Sequence, residues 1–301
     1  MDGLIAFEKF ESELENELKR LNAKIHFQKN GLFLVDLPAQ SPDPIWAKMT
    51  SRNGRIVDFN SINEAAKILK SENKFWCHYS FHLHRRSELI QEQVCKIKKS
   101  PLEFLKNPYK HKLGLFCLVE DKKMFLAPNS NTLFPLGDIQ FQENKNIPPS
   151  RAYLKLWELF TCHFQGPKPN ETVLDMGACP GGWSWVLHEM GTNVIAVDKA
   201  PLDPKIQKLP RIQTLKKDAF ALKPEDIPQV DWFFSDIICY PHDLYDLVLK
   251  WKASGKIKNF VCTIKYQKQT DFETTQKFLE IPNSRIIHLC ANKHEVTWIC
   301  C

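Results

Sequence analysis

Five side chains able to hold a ligand or move a proton stand at one recurring place in this sequence, just past a short apolar run. Asp175 follows Val173-Leu174, Asp198 follows residues 193–197, Asp218 comes just beyond 212–215, Asp236 follows 231–235 and Lys265 follows 260–264. Carboxylates accept hydrogen bonds from sugar hydroxyls, and a lysine can carry a proton, so the set suits a nucleoside ligand and acid–base work. Any one of them alone reads as a helix cap or a solvated strand end. All five at equivalent positions argue for a shared rim. The first belongs to the stretch 175–183, Asp-Met-Gly-Ala-Cys-Pro-Gly-Gly-Trp. Glycines 177, 181 and 182 let backbone approach a ligand, and the first N–H groups of the helix that follows are free to bond it. The spacing departs from G-x-G-x-x-G, and Pro180 is foreign to that fingerprint; a phosphate-cradling G-x-x-x-x-G-K-[ST] loop is also missing. The turn therefore points to a nucleoside cofactor without a pyrophosphate.

The elements that must position these residues alternate from residue 172 onward. Apolar runs at 173–174, 193–197, 212–215, 231–235 and 260–264 read as strands, and 183–190, 243–252 and 271–279 as helices. The last helix carries a capping-box pattern, Thr270 with Glu273. Such alternation predicts an α/β fold with a mostly parallel sheet and helices on both faces, whose ligands lie outside the carboxyl ends of the strands. Runs at 285–289 and 296–300, linked through 292–294, predict a closing antiparallel pair. Upstream, a helix is expected from an N-cap at Ser150, with Tyr153, Leu156, Phe160 and Phe164 on one face. Lys155 falls off that stripe, and alone it reads as a surface lysine beside Glu158. The polar stretch 144–149, ending in Pro148-Pro149, is the expected boundary between domains 1–147 and 148–301.

The first domain reads as a small α+β, ferredoxin-like module with no catalytic constellation. A strand is expected at 4–7, then a helix carrying Phe10, Leu14, Leu18 and Leu21. A hairpin turns at Asn30-Gly31, helices are expected at 62–70 and 88–97, and a second hairpin turns at 120–122. The chain of 301 residues has room for two domains, and 43% hydrophobic with 25% charged residues is ordinary for a globular protein. No apolar run nears the roughly 20 residues that span a bilayer. A secretory signal is not recognisable at the N-terminus, so no membrane association is expected. The ten cysteines show no C-x-x-C pair, which favours reduced thiols in a cytoplasm and no metal site; His82-Leu-His84 reads as strand or loop. Net charge +6 permits nucleic-acid binding without demanding it. Clusters such as Lys106 to Lys112 read singly as solvated faces.

Stretch 175–183 resembles the S-adenosylmethionine motif D-[LM]-G-[AC]-x-P-G-G-[WF] of the FtsJ-like RNA ribose 2′-O-methyltransferases. Residues 150–156, Ser-Arg-Ala-Tyr-Leu-Lys-Leu, are similar to the family segment that brings a lysine in ahead of the first strand. The resemblance covers 148–301. It implies a Rossmann-like class I methyltransferase domain using S-adenosyl-L-methionine, with catalytic residues Lys155, Asp236, Lys265 and Glu295. Lys265 would be the base, its loss of a proton favoured by a neighbouring Lys155 and partial desolvation. Cofactor contacts would fall to Asp175, Gly177, Cys179, Pro180, Gly181, Gly182, Trp183, Asp198, Asp218 and Asp236, with Asp198 on the ribose and Asp218 on the adenine edge. The ring of Trp183 is read as packing, and Cys179 as a small turn residue and not a nucleophile. The resemblance is strongest to members that methylate a cytidine of large-subunit ribosomal RNA and carry an N-terminal α+β, THUMP-like RNA-binding module. Here that module is shorter and only weakly similar, and Ala152 stands where those members have serine. Two other readings compete. A non-catalytic RNA-binding protein keeping the fold would bind cofactor without turnover. A nicotinamide dehydrogenase is opposed by the glycine spacing.

Overall fold

A computed structural model describes residues 1–97 and 99–301. It divides into two compact units, residues 1–102 with 107–140, and residues 103–106 with 141–301. The division thus falls a few residues before the expected boundary, and a four-residue excursion counts with the second unit.

In the first unit β1 (Asp2–Ala6) is buried throughout and lies inside a five-stranded sheet. Helix α1 (Glu11–Arg20) follows, burying Leu14 and Leu18. Strands β2 (Lys24–Lys29) and β3 (Leu32–Asp36) form the expected hairpin, with Asn30 and Gly31 both at positive φ. Strand β4 (Ala47–Arg52) pairs with the other side of β1. A second sheet contains β5 (Arg55–Asp58), β6 (Trp76–His78), β7 (Gly114–Glu120) and β8 (Lys123–Ala127) in the order β5-β8-β7-β6, accompanied by α2 (Ile62–Glu72) and α3 (His84–Val94). The two-residue β9 (Asn129–Ser130) completes the first sheet, ordered β2-β3-β1-β4-β9. Two sheets replace the single ferredoxin-like sheet expected. Strands β4, β5, β6 and β9 are short or polar, so their apolar alternation is too weak to register. The third helix starts at His84 and stops at Val94; Ile97, which extended its apparent stripe, packs against a core made of residues from both sheets.

In the second unit α4 (Tyr153–Glu158) widens into a single π-type turn at Leu159–His163, where Phe164 N–H reaches the Leu159 carbonyl. The chain then alternates through β10 (Thr172–Met176), α5 (Gly182–Glu189), β11 (Asn193–Asp198), α6 (Pro204–Gln207), β12 (Ile212–Lys216) and β13 (Trp232–Ser235). It continues through α7 (Pro241–Ala253), β14 (Asn259–Lys265), α8 (Phe272–Glu280), β15 (Ser284–Ile287) and β16 (Glu295–Cys300). The sheet order is β12-β11-β10-β13-β14-β16-β15, parallel except where β16 runs against β14 and β15. Alternate residues of β13 serve opposite faces. Phe234 joins Trp183 and Phe160 on one side, while Phe233 meets Trp251 of α7 on the other. Order reverses between β10 and β13, so the carboxyl ends of these two strands flank the crevice where open α/β sheets take ligands. Helix α8 is capped by Asp271, whose carboxylate accepts from Thr274 N–H, and not by Thr270. The Thr270 hydroxyl is hydrogen-bonded to His294 instead.

Candidate active site

The glycine turn leaves the end of β10 through three positions where a side chain would be crowded. Gly177 has φ +77°, and a Cβ there would lie 2.5 Å from Cγ1 of Ile237. Gly181 has φ +114°, and a Cβ would meet Ile206 at 2.9 Å. A Cβ on Gly182 would stand 2.9 Å from Ser150 Oγ. Cys179 and Pro180 form the exposed tip. Burial and the nearby Asp198 carboxylate push the Cys179 thiol up, which keeps it protonated and suits a turn residue better than a nucleophile. Asp198 accepts from Cys179 N–H at 3.0 Å and Ala200 N–H at 2.9 Å. A carboxylate has about four acceptor sites, so others stay open on Asp198. Asp218 accepts from Lys199 Nζ at 2.8 Å and Phe220 N–H at 2.9 Å, and the lysine holds its carboxyl below the usual range. Asp175 and Trp183 lie beneath the turn. Asp175 is 1% exposed, accepts from Ser184 Oγ at 2.6 Å, and is pushed up to about 7 by burial. Trp183 Nε1 donates to the Ala152 carbonyl at 3.0 Å. Both brace the turn from below.

Three elements and the residue just past β13 bring four side chains together next to this turn. Lys155 of α4 donates to both oxygens of Asp236, at 2.9 and 3.2 Å, and lies 2.7 Å from Glu295 Oε1. Lys265, last residue of β14, lies 3.0 Å from Asp236 Oδ1, donates to the Asp236 carbonyl at 2.7 Å and sits 4.0 Å from Glu295 Oε2. Glu295 opens β16 directly opposite Lys265 in the antiparallel register. Burial works against the charge of Lys155, but Asp236 and Glu295 outweigh it and hold this ammonium above the ordinary lysine value. Burial likewise disfavours ionised Asp236, and Lys155 and Lys265 together reverse that, holding its carboxyl low. Two ammonium groups and two carboxylates thus balance within one cluster.

The cluster forms part of the wall of a groove of about 900 Å³. Ser150, Arg151, Ala152, Ile238, Tyr266 and Cys290 are among the residues that line it. Gln267, Lys293 and His294 also face it; as polar loop residues they carry no sequence signal. The segment 288–295 is held by buried polar groups. Glu158 accepts from Cys290 N–H at 2.9 Å, and His288 Nε2 pairs with the Lys293 carbonyl at 3.1 Å. Burial pushes His288 down to about 4, so it serves as a neutral donor.

Residues 148–296 match the family model described as FtsJ-like methyltransferase. This unit is an FtsJ-like methyltransferase. A ribosomal RNA large subunit methyltransferase M from Halorhodospira halophila is 32% identical over 150 residues, 49% of this chain and 43% of that protein. One from Laribacter hongkongensis is 31% identical over 166 residues, 53% of this chain and 46% of its own. A third, from Shewanella sp., is 25% identical but spans 93% of this chain and 78% of that protein. The chain therefore spans less than half the length of the first two. The cofactor of the FtsJ-like methyltransferase unit is S-adenosylmethionine, and the residues fit it. Three glycines leave bare backbone at the crevice, and Asp198 keeps acceptor sites at the end of the second strand. Among the described residues no group of three or more His, Cys, Asp or Glu could hold a metal, and no helix is long and apolar enough to cross a membrane.

The structure brings Lys155, Asp236, Lys265 and Glu295 together, and sets Gly177, Cys179, Pro180, Gly181 and Gly182 around one turn with Asp198 bonded to it. Ser150 is not a helix cap. Its hydroxyl lies against Gly182, and α4 begins three residues later. Ile237, which fills the space beside Gly177, had no signal beyond an apolar residue after Asp236.

Proposed function

We propose that this chain methylates a ribose 2′-hydroxyl of ribosomal RNA, with a cytidine of large-subunit RNA as acceptor and S-adenosylmethionine as donor, in the cytoplasm. The observation that carries the reading is the Lys155–Asp236–Lys265–Glu295 cluster on the wall of a groove that reaches the glycine turn through Ser150. The resemblance to FtsJ-like 2′-O-methyltransferases and the names of the relatives support the RNA acceptor. The first unit would supply RNA contacts.

When bound, the cofactor supplies a methyl group already activated by a sulfonium sulfur. A ribose hydroxyl is a poor nucleophile, so the chain must align it and accept its proton. Lys155 is clamped between two carboxylates and stays charged. Lys265, more exposed and facing the groove, first releases its own proton to the open groove and then, as the neutral amine, takes the hydroxyl proton at Nζ. The new ammonium then rests between the Asp236 carbonyl and carboxylate. Asp236 and Glu295 limit repulsion between the lysines, and Asp198 and Asp218 hold the nucleoside. Arg151 and Lys293 on the groove suit the phosphates on either side of the acceptor.

The test is transfer of labelled methyl from S-adenosylmethionine to ribosomal RNA. Lys265→Ala is expected to lower the rate by about 10²- to 10⁴-fold while calorimetry shows cofactor binding intact. Undiminished transfer by that variant excludes Lys265 as the base, and no transfer by the wild-type chain removes the reading itself.

A further inference from the structure

The segment leaving Asp236 alternates. Ile237 is packed into the space beside Gly177, and Cys239 is half-buried, with burial pushing its thiol up to about 11. Their neighbours face out: Ile238 is 82% exposed and Tyr240 is 54% exposed. The chain bends at Cys239, and the side chains on either side of that bend, Ile238 and Tyr240, are both left exposed. Ile238 is on the wall of the groove that holds the four-residue cluster. Two residues of extended chain reach at most about 7 Å, which puts Tyr240 one short step outside it. Tyr240 is not loose. It is the N-terminal cap residue of α7, Pro241 stiffens the first helical position, and its carbonyl accepts from Leu244 N–H at 3.2 Å. Its ring is stacked on His242 with centroids 5.6 Å apart and planes 16° from parallel. Its hydroxyl has no hydrogen-bond partner among the described residues.

We propose that Tyr240, backed by His242, is a stacking platform for an unpaired RNA base next to the acceptor nucleotide, with Ile238 guiding the strand from the platform into the groove. This deepens the RNA reading above and rests on it. The occupant is a nucleic acid because the groove sharing Ile238 also presents Arg151 and Lys293, beyond the two lysines that Asp236 and Glu295 balance, and these suit a polyanion. An aromatic face with no directional partner accepts any base, as single-strand-binding surfaces do. A platform outside the groove holds a neighbouring base so that the acceptor ribose can drop inward.

The experiment uses the full chain and fluorescence anisotropy with a twelve-nucleotide oligocytidylate and an abasic strand of the same length. Tyr240→Ala is expected to weaken oligocytidylate binding on the order of 5- to 100-fold, with Tyr240→Phe restoring it and abasic-strand binding unchanged. Equal affinity of Tyr240→Ala and wild type for oligocytidylate, equal losses on both strands, or no oligocytidylate binding by the wild type each overturn the platform. Methyl transfer to ribosomal RNA is measured in parallel. Wild-type transfer with no effect of Tyr240→Ala on binding refutes the platform alone. Absent wild-type transfer with the expected binding difference refutes the methyltransfer reading and leaves the platform standing.

Discussion

Lys155 Nζ sits within 2.9 Å of Asp236 and 2.7 Å of Glu295 on a residue only 5% exposed. Charge balance at this depth depends on every member, because an uncompensated buried carboxylate costs far more than the pair contributes. Lys155→Met is therefore expected to destabilise the second unit by about 3–5 kcal/mol, read as a lower urea midpoint. An unchanged midpoint would show that the pairing is not what keeps Asp236 ionised. Asp175 behaves differently. Its folded-state pKa of about 7 lies above the unfolded value near 3.9, so folding favours its protonated form. That contribution is complete below about pH 4 and is lost as pH rises through about 7. Asp175→Asn stays neutral, so the second unit of the variant is expected to lose less thermal stability than wild type between about pH 4 and pH 7. Equal losses in both would assign that slope to other groups. At this scale the residue types were legible. Aspartates after apolar runs and a lysine after the fifth stand out in sequence. The burial of Lys155 does not, because its helix is enclosed on all sides and periodicity reports only one face.

Among the elements, the turn from β10 into α5 is the one whose geometry sequence and structure describe alike. Gly177→Ala is expected to cost about 1–3 kcal/mol of backbone strain and also to push Ile237 aside, displacing the segment that carries Asp236. Calorimetry is expected to show weaker S-adenosylmethionine binding; wild-type affinity would mean that the turn tolerates a side chain. Helix α8 gives a cleaner case. Asp271→Ala is expected to cost about 1 kcal/mol, whereas Thr270→Ala disturbs the contact with His294 and leaves the cap in place. A larger loss from Thr270→Ala in denaturant titrations would reassign the cap. Both residues are sound caps by type, and only the bond to Thr274 N–H decides between them. The parallel strands of the second unit were legible because they are apolar runs bounded by turns. Strands β4, β5, β6 and β9 were not, since short or polar strands owe their existence to their partners.

Two compact units with separate cores are expected to unfold in two calorimetric transitions. The excursion 103–106 makes a sharper test. Phe104 is numbered among residues of the first unit, yet its ring stacks on Trp157 of the second with centroids 5.2 Å apart. Phe104→Ala is expected to lower the transition of the second unit by roughly 1–3 kcal/mol and to leave the other in place. A shift confined to the first transition would contradict the division of the chain. By itself the sequence determined the α/β character of residues 148–301, the glycine turn and the places of Asp236 and Lys265 after apolar runs, since these follow from local periodicity and spacing; Lys155 and Glu295 were marked only by the family resemblance. Only the tertiary structure decided that Lys155, Asp236, Lys265 and Glu295 touch, that Asp175 and Trp183 lie under the turn, and that the first unit has two sheets. Those outcomes depend on contacts between residues as much as 140 positions apart, as Lys155 and Glu295 are. Local pattern carries no record of which distant partner closes a charge or an edge.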